Sequence, residues 1–282
     1  MSEPLLVAVD FTAEGADEAF VASLRETGFG VLREHPLDPA LVDRIYEAWT
    51  DFFASDAKHD FLFRRVEHDG YFPPDVSELA KGHSVKDIKE YFHYYPSGRC
   101  PEALRADLQA YYEAAELVAG QLLGWVEKHA PEAVAARFSE PLSQMIQDSP
   151  STLLRVLHYP RMTGEEEVGA IRAAAHEDIN LLTVLPAASS PGLEVQARSG
   201  EWLPVPCDFG NLVVNVGDML QEATGGWLPS TTHRVVNPPG GAEEGARMSL
   251  PLFLHPRPEV ILSERYTADA YLHERLAEMG VA

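Results

Sequence analysis

His176 and Asp178 stand two residues apart at the head of an apolar, β-branched run, and both can ligate a metal ion. Along an extended chain the side chains alternate sides, so these two share a face while Glu177 points away. An imidazole and a carboxylate side by side supply two corners of a facial site. The third falls to His233, in the run Ser-Thr-Thr-His-Arg-Val-Val at 230–236. Two imidazoles and one carboxylate on one face of an octahedron leave the other face open, a donor set that suits Fe(II) and oxygen chemistry.

A second group can fix a planar anion. After His233 comes a Pro/Gly-rich loop at 237–246, then Arg-Met-Ser-Leu-Pro-Leu-Phe-Leu at 247–254. By the same alternation Arg247 and Ser249 share one strand face. A held guanidinium with a hydroxyl beside it clamps a carboxylate. His-x-Asp alone is a weak signal; the ordered set is far more specific.

In this order, His176-x-Asp178, His233 and Arg247-x-Ser249 resemble the iron- and 2-oxoglutarate-dependent dioxygenases, in their isopenicillin N synthase-like branch. Flanking segments agree: Leu-Leu-Arg-Val-Leu-His-Tyr-Pro at 153–160, Gly-Leu-Glu-Val at 192–195 and Asn-Leu-Val-Val-Asn-Val-Gly-Asp-Met-Leu at 211–220. The likeness is close over 152–256 and loose before it. It implies an α+β chain: a double-stranded β-helix (jelly roll) core at 152–282, a helical and loop region at 1–151 packed on it as one compact unit, and a C-terminal helix.

The resemblance also implies cofactors and roles. His176, Asp178 and His233 would hold Fe(II); 2-oxoglutarate would chelate it, and O2 would take the last position. The far carboxylate of 2-oxoglutarate would be held by Arg247, Ser249 and Tyr159. Tyr159 shares a strand face with Arg155 and Leu157, whereas Val156 and His158 take the other, so His158 is expected at the back of the sheet. Family members often carry Asn where Leu157 stands, so the co-substrate is expected to have one hydrogen bond fewer or a substitute. The implied activity is oxidation, foremost hydroxylation, of an unactivated C–H bond in a small molecule. Two alternatives use the same residues: an isopenicillin N synthase-type oxidase that needs no 2-oxoglutarate, and a non-catalytic metal-binding sensor.

For the substrate, the expectations rest on fewer residues. Arg155, inward by parity with Tyr159, is a cation in an acidic protein and calls for a carboxylate-bearing molecule or a buried partner such as Asp178. Asn180 and Leu182 share the face of His176 and Asp178 by alternation, so both are expected to line the cavity, with Asn180 also placed to orient a ligand. Tyr91 and His93 lie in an aromatic stretch that approaches the pocket in the family, or packs a loop on the core.

Composition narrows the classes. Lys and Arg number 22 against 44 Asp and Glu, a formal charge of −22 that repels phosphate backbones and anionic membranes. The expected partner is therefore a small molecule, with no nucleic acid and no membrane; nothing fixes an oligomeric state. Two cysteines, Cys100 and Cys207, make no disulfide framework, and no secretory signal or spanning run is seen, so a cytoplasmic protein is expected. Helices are predicted after Thr12, from Pro39, over 101–130, near 139–148 and over 266–279, with loops over 54–101. Short strands are predicted at 5–9, 29–35, 152–159, 168–173, 178–185, 193–197, 202–205, 211–216, 231–236 and 247–254.

Overall fold

Strands and helices alternate through the first part of the chain: β1 (Ala8–Asp10), α1 (Ala16–Thr27), β2 (Phe29–Arg33) and α2 (Pro39–Ala54). The computed structural model describes residues 6–76, 87–167, 169–206, 208, 210–238 and 245–278. Helix α2 begins as predicted, with Pro39 in its first turn and the Asp38 carboxylate accepting from the Ala40 amide at 2.9 Å. Helix α1 does not begin at Thr12. Asp10 accepts from both the amide and the hydroxyl of Thr12, and that local turn delays the helix to Ala16.

The stretch read as loops holds two strands, β3 (Gly70–Phe72) and β4 (Glu90–Tyr94). Helix α3 (Glu102–His129) follows, as predicted over 101–130, and buries Leu108, Tyr111, Ala115, Val118 and Leu122. Short α4 (Glu132–Ala135) and α5 (Leu142–Met145) lead to β5 (Leu153–Tyr159). Then come β6 (Ala173–His176), β7 (Leu182–Pro186), β8 (Leu193–Gln196), β9 (Trp202–Pro204), β10 (Leu212–Val216), α6 (Asp218–Ala223), β11 (His233–Val235), β12 (Arg247–Ser249), β13 (Leu252–Leu254) and α7 (Ala268–Glu278).

Strand β6 thus starts later than predicted, and the predicted strand at 178–185 starts only at Leu182. The run 247–254 is two strands because Pro251 has no amide to donate; its carbonyl instead accepts from the Arg155 amide at 3.0 Å. The Thr267 hydroxyl accepts from the Ala270 amide and starts α7. Leu5, Val168, Cys207, residues 239–244 and Met279 lie outside the described residues.

Among the described residues the strands form two sheets. A nine-stranded sheet runs β1-β2-β10-β7-β13-β5-β4-β3, with β12 also paired to β5; a four-stranded sheet runs β6-β11-β8-β9. The outer face of the nine-stranded sheet carries Leu154, Val156, Val184, Val214 and Leu252 into a large core shared with α1, α2 and α3. Its inner face meets the small sheet in two clusters: Phe29, Val31 and Val213 with Val195 and Val205, and Tyr91, Leu157 and Tyr159 with Ala173 and Val235. Two facing sheets with helices on one outer side form the expected jelly roll. β1 to β4, from the first 151 residues, belong to the large sheet itself. The helices cover the outer face of the large sheet, and the site residues lie between the two sheets.

Candidate active site

His176 ends β6, and its register partner across the ladder is His233 on β11. Their ring centroids lie 4.4 Å apart. Asp178 is not on a strand, contrary to the alternation argument; it sits in the turn between β6 and β7 and swings its carboxylate back toward both imidazoles. Asp178 Oδ1 lies 3.8 Å from Nε2 of His176 and 3.8 Å from Nε2 of His233. One donor atom from each residue falls within 4.8 Å of the others, spacing that a single metal ion can bridge.

Both imidazoles are turned the same way. His176 Nδ1 donates to the Ala174 carbonyl at 2.7 Å and His233 Nδ1 to the Thr231 carbonyl at 3.1 Å, since a carbonyl can only accept. That fixes the protons on Nδ1 and leaves each Nε2 lone pair aimed at the shared space. Burial and the neighbouring His233 push His176 down to about 4, so it presents a neutral donor at neutral pH. Burial alone would raise Asp178, but the two imidazoles and the hydrogen bonds from Asn215 and Thr183 hold it below the ordinary carboxylate value.

Sequence reading missed the residues that cradle this turn. The backbone amide of Asp218 donates to the Asp178 carbonyl at 2.7 Å. A Cβ on Gly217 would lie 2.2 Å from the Asn180 carbonyl oxygen, so only glycine admits the turn so close. Asp87 and Lys89 pair at 2.7 Å, and Asp87 also accepts from the Ala174 amide at 2.9 Å, anchoring the His176 strand.

The candidate anion clamp lies between the sheets. Arg247 is the register partner of Tyr159, and Ser249 that of Leu157. The guanidinium sits 5.1 Å from the Tyr159 ring centroid, and its Nε donates to the Ser190 carbonyl at 3.0 Å. Arg247 is 2% exposed, and its Nη1 is buried with no hydrogen-bond partner. Such an orphaned charged donor is costly unless an anion meets it. Tyr159 and Leu157 cluster with Ala173 and Val235, three and two residues from His176 and His233, so clamp and triad face the same interior.

A cavity of about 730 Å³ opens beside the triad, lined by Arg155, His93, Lys89, Phe253, His255 and Asn180 among others. Arg155 points inward as parity required, and His158 points to the back, where it bonds Glu90 at 2.7 Å and stacks on Phe53. The Arg155 guanidinium lies over Tyr91 at 4.6 Å and near Phe253 at 5.2 Å. Its Nε donates to His93 Nε2 at 2.8 Å, which requires the His93 proton on Nδ1, where it meets the His68 carbonyl at 2.9 Å. No ion pair joins Arg155 to Asp178 among the described residues.

Leu182 does not line the cavity. The turn at 177–181 resets the alternation, so Leu182 enters the outer core while Thr183 faces inward, paired with Asn215 and Phe253. Asn180 does reach the cavity, and its Nδ2 donates to Thr183 Oγ1 at 2.9 Å.

His93 and His255 add a pH dependence. Burial and the Arg155 charge hold His93 well below its ordinary value, and burial pushes His255 down to about 4. The unfolded chain takes up a proton at each near pH 6.5, while the folded protein resists until far lower. Stability of the metal-free protein is therefore full above about pH 6.5 and falls as pH drops toward 4, by up to about 1.4 kcal/mol per pH unit for each histidine. Urea unfolding from pH 7.5 to 4.5 tests this; a His93→Leu, His255→Leu variant as pH-sensitive as the parent would contradict it.

Over residues 150–256 the sequence matches the 2OG-Fe(II) oxygenase superfamily, and over 10–111 a domain described as non-haem dioxygenase in morphine synthesis N-terminal. Proline hydroxylase buaE of Petromyces alliaceus is 31% identical over 259 residues, which cover 81% of this chain and 78% of that protein. A crystallised candidate oxygenase from Shewanella oneidensis is 58% identical, covers 99% of this chain and 100% of its own, and superposes with a TM-score of 0.90. The chain belongs to the 2OG-Fe(II) oxygenase superfamily. A second crystallised member candidate, a 2OG-Fe(II) oxygenase family protein from Caulobacter crescentus, is 31% identical over 97% of this chain and 99% of its own, with a TM-score of 0.79.

This oxygenase is thus a non-haem iron, 2-oxoglutarate-dependent dioxygenase, and its cofactors are Fe(II) and 2-oxoglutarate. Its own residues fit both groups. Among the described residues the His-Asp-His donors converge with no hydrogen-bond partner on either Nε2, and the orphaned Nη1 of Arg247 matches a carboxylate. No helix among the described residues is long and apolar enough to cross a membrane.

Proposed function

We propose that this oxygenase hydroxylates an unactivated C–H bond of a small, carboxylate-bearing molecule in the cytoplasm. In this reading His176, Asp178 and His233 hold the ferrous ion, and Arg247, Ser249 and Tyr159 hold the far carboxylate of 2-oxoglutarate. When bound, iron, 2-oxoglutarate and O2 supply the oxidant, with succinate and CO2 as co-products. The chain's own part is to bind and orient. Arg247 fixes the depth of the co-substrate by meeting its far carboxylate with a buried guanidinium. Leu157 and Tyr91 wall off water on that side. Asn180 lines the cavity together with His176 and Asp178.

The observation that carries the substrate class is the fixed position of Arg155. A guanidinium between two aromatic rings, tied to a neutral histidine, keeps its place and its charge beside the cavity. A carboxylate there would leave the rest of the molecule reaching toward the triad. The acidic surface would keep bulk anions away, so a local cation is needed to capture one.

Succinate release over a panel of small carboxylic acids and their amides tests this. The acids are expected to stimulate turnover and the amides not. Arg155→Gln is expected to raise KM for an active acid by roughly 10- to 100-fold, since a hydrogen bond to a charged group is worth about 1.5–3 kcal/mol. Amides turned over as well as acids would contradict the assignment.

A further inference from the structure

Asp178 carries two oxygens, and the surroundings treat them differently. Oδ1 faces both imidazoles at 3.8 Å. Oδ2 accepts from Thr183 Oγ1 at 2.5 Å and from Asn215 Nδ2 at 2.8 Å. We propose that Thr183 and Asn215 are positioning residues that hold Asp178 as a one-oxygen ligand, so that the open face of the triad keeps three positions. This rests on the reading that the triad holds a ferrous ion.

A carboxylate oxygen offers about two acceptor sites, and on Oδ2 both are filled. The direction of each bond is settled by chemistry. Asn180 Nδ2 donates to Thr183 Oγ1 at 2.9 Å, so the one Thr183 proton is left for Asp178. Asn215 meets Oδ2 through its amide nitrogen, which only donates. All four side chains are buried. For Oδ2 to swing onto a metal ion it would have to abandon both charge-assisted bonds.

The two donors come from a rigid source. Thr183 on β7 and Asn215 on β10 are register partners in the large sheet, whereas His176 and His233 come from the small sheet. Asp178 in its turn is therefore held from one sheet and presented to ligands of the other. A chelating carboxylate would take one position more and leave two, where a bidentate co-substrate and O2 together need three. The bracket thus preserves room for the reaction without touching the reactants.

The test is Co(II) titration of the metal-free protein, followed by visible absorption and calorimetry. Thr183→Val keeps the shape and removes the donor; Asn215→Ala removes the other; Thr183→Ser keeps a hydroxyl. Each of the first two is expected to weaken Co(II) binding about 10- to 100-fold and to alter the position and intensity of the d–d bands. Thr183→Ser is expected to restore wild-type affinity and spectrum. Melting of the metal-free variants checks folding, and if Thr183→Val does not fold, Asn215→Ala carries the test. Wild-type spectrum and affinity in the folded variants, even with a lowered melting temperature, would overturn the proposal, because the pair would then be merely structural. A wild-type protein that takes up no Co(II) would overturn the triad reading beneath it.

Discussion

Arg247→Ala is expected to raise the apparent KM for 2-oxoglutarate by about a thousandfold while leaving Fe(II) affinity unchanged. The guanidinium is buried against Tyr159 and tied through Nε to the Ser190 carbonyl, with Nη1 unmet. On the proposed assignment, removing it leaves the far carboxylate of the co-substrate in a dry interior without its counter-charge, a loss of about 3–5 kcal/mol. At about 1.4 kcal/mol per decade the middle of that range is a thousandfold. Arg247→Lys is expected to recover part of the loss, because an ammonium keeps the charge but not the fork that engages Ser190 and a carboxylate together. Steady-state kinetics at saturating iron measure both. Equal KM in Arg247→Ala and the parent would place the co-substrate elsewhere.

The second large effect is expected at Asp178. Asp178→Ala removes the anionic donor and strands the Thr183 hydroxyl and the Asn215 amide against an empty space. Two imidazoles alone hold Fe(II) too weakly to survive desalting, so stoichiometric iron and all succinate formation are expected to vanish. Iron content after gel filtration and turnover with excess Fe(II) separate loss of binding from loss of chemistry. A variant that keeps iron and turns over would show that another residue supplies the third ligand.

Much of the site could be read along the chain because its parts are local or follow strand parity. His176, Asp178 and His233 converge as their spacing suggested, yet for a different reason. Register across β6 and β11 brings the histidines together, and a turn rather than a strand delivers Asp178. Parity along β5 placed Arg155, Leu157 and Tyr159 inward and His158 outward, because β5 is one unbroken strand. The same parity failed at Leu182, where the turn at 177–181 shifts the alternation by one and gives the inward position to Thr183.

What the chain did not reveal depends on pairings between distant strands. Thr183 meets Asn215 only because β7 and β10 are neighbours, and Gly217 is required only because Asn180 lies against it. Asp87 and Lys89 stand in a stretch with no periodic pattern, and their link to Ala174 is a tertiary contact. The Asn-Val-Gly-Asp run at 215–218 was visible as text, but its purpose appears only when the turn it cradles is seen beside it.

The most direct test of the whole reading is anaerobic visible absorption of the Fe(II) protein titrated with 2-oxoglutarate. Chelation of the ferrous ion by the keto acid gives a weak metal-to-ligand charge-transfer band. The band is expected to appear in the parent, and to be absent in Arg247→Ala at the same co-substrate concentration. Iron bound with no band at any concentration would contradict the account.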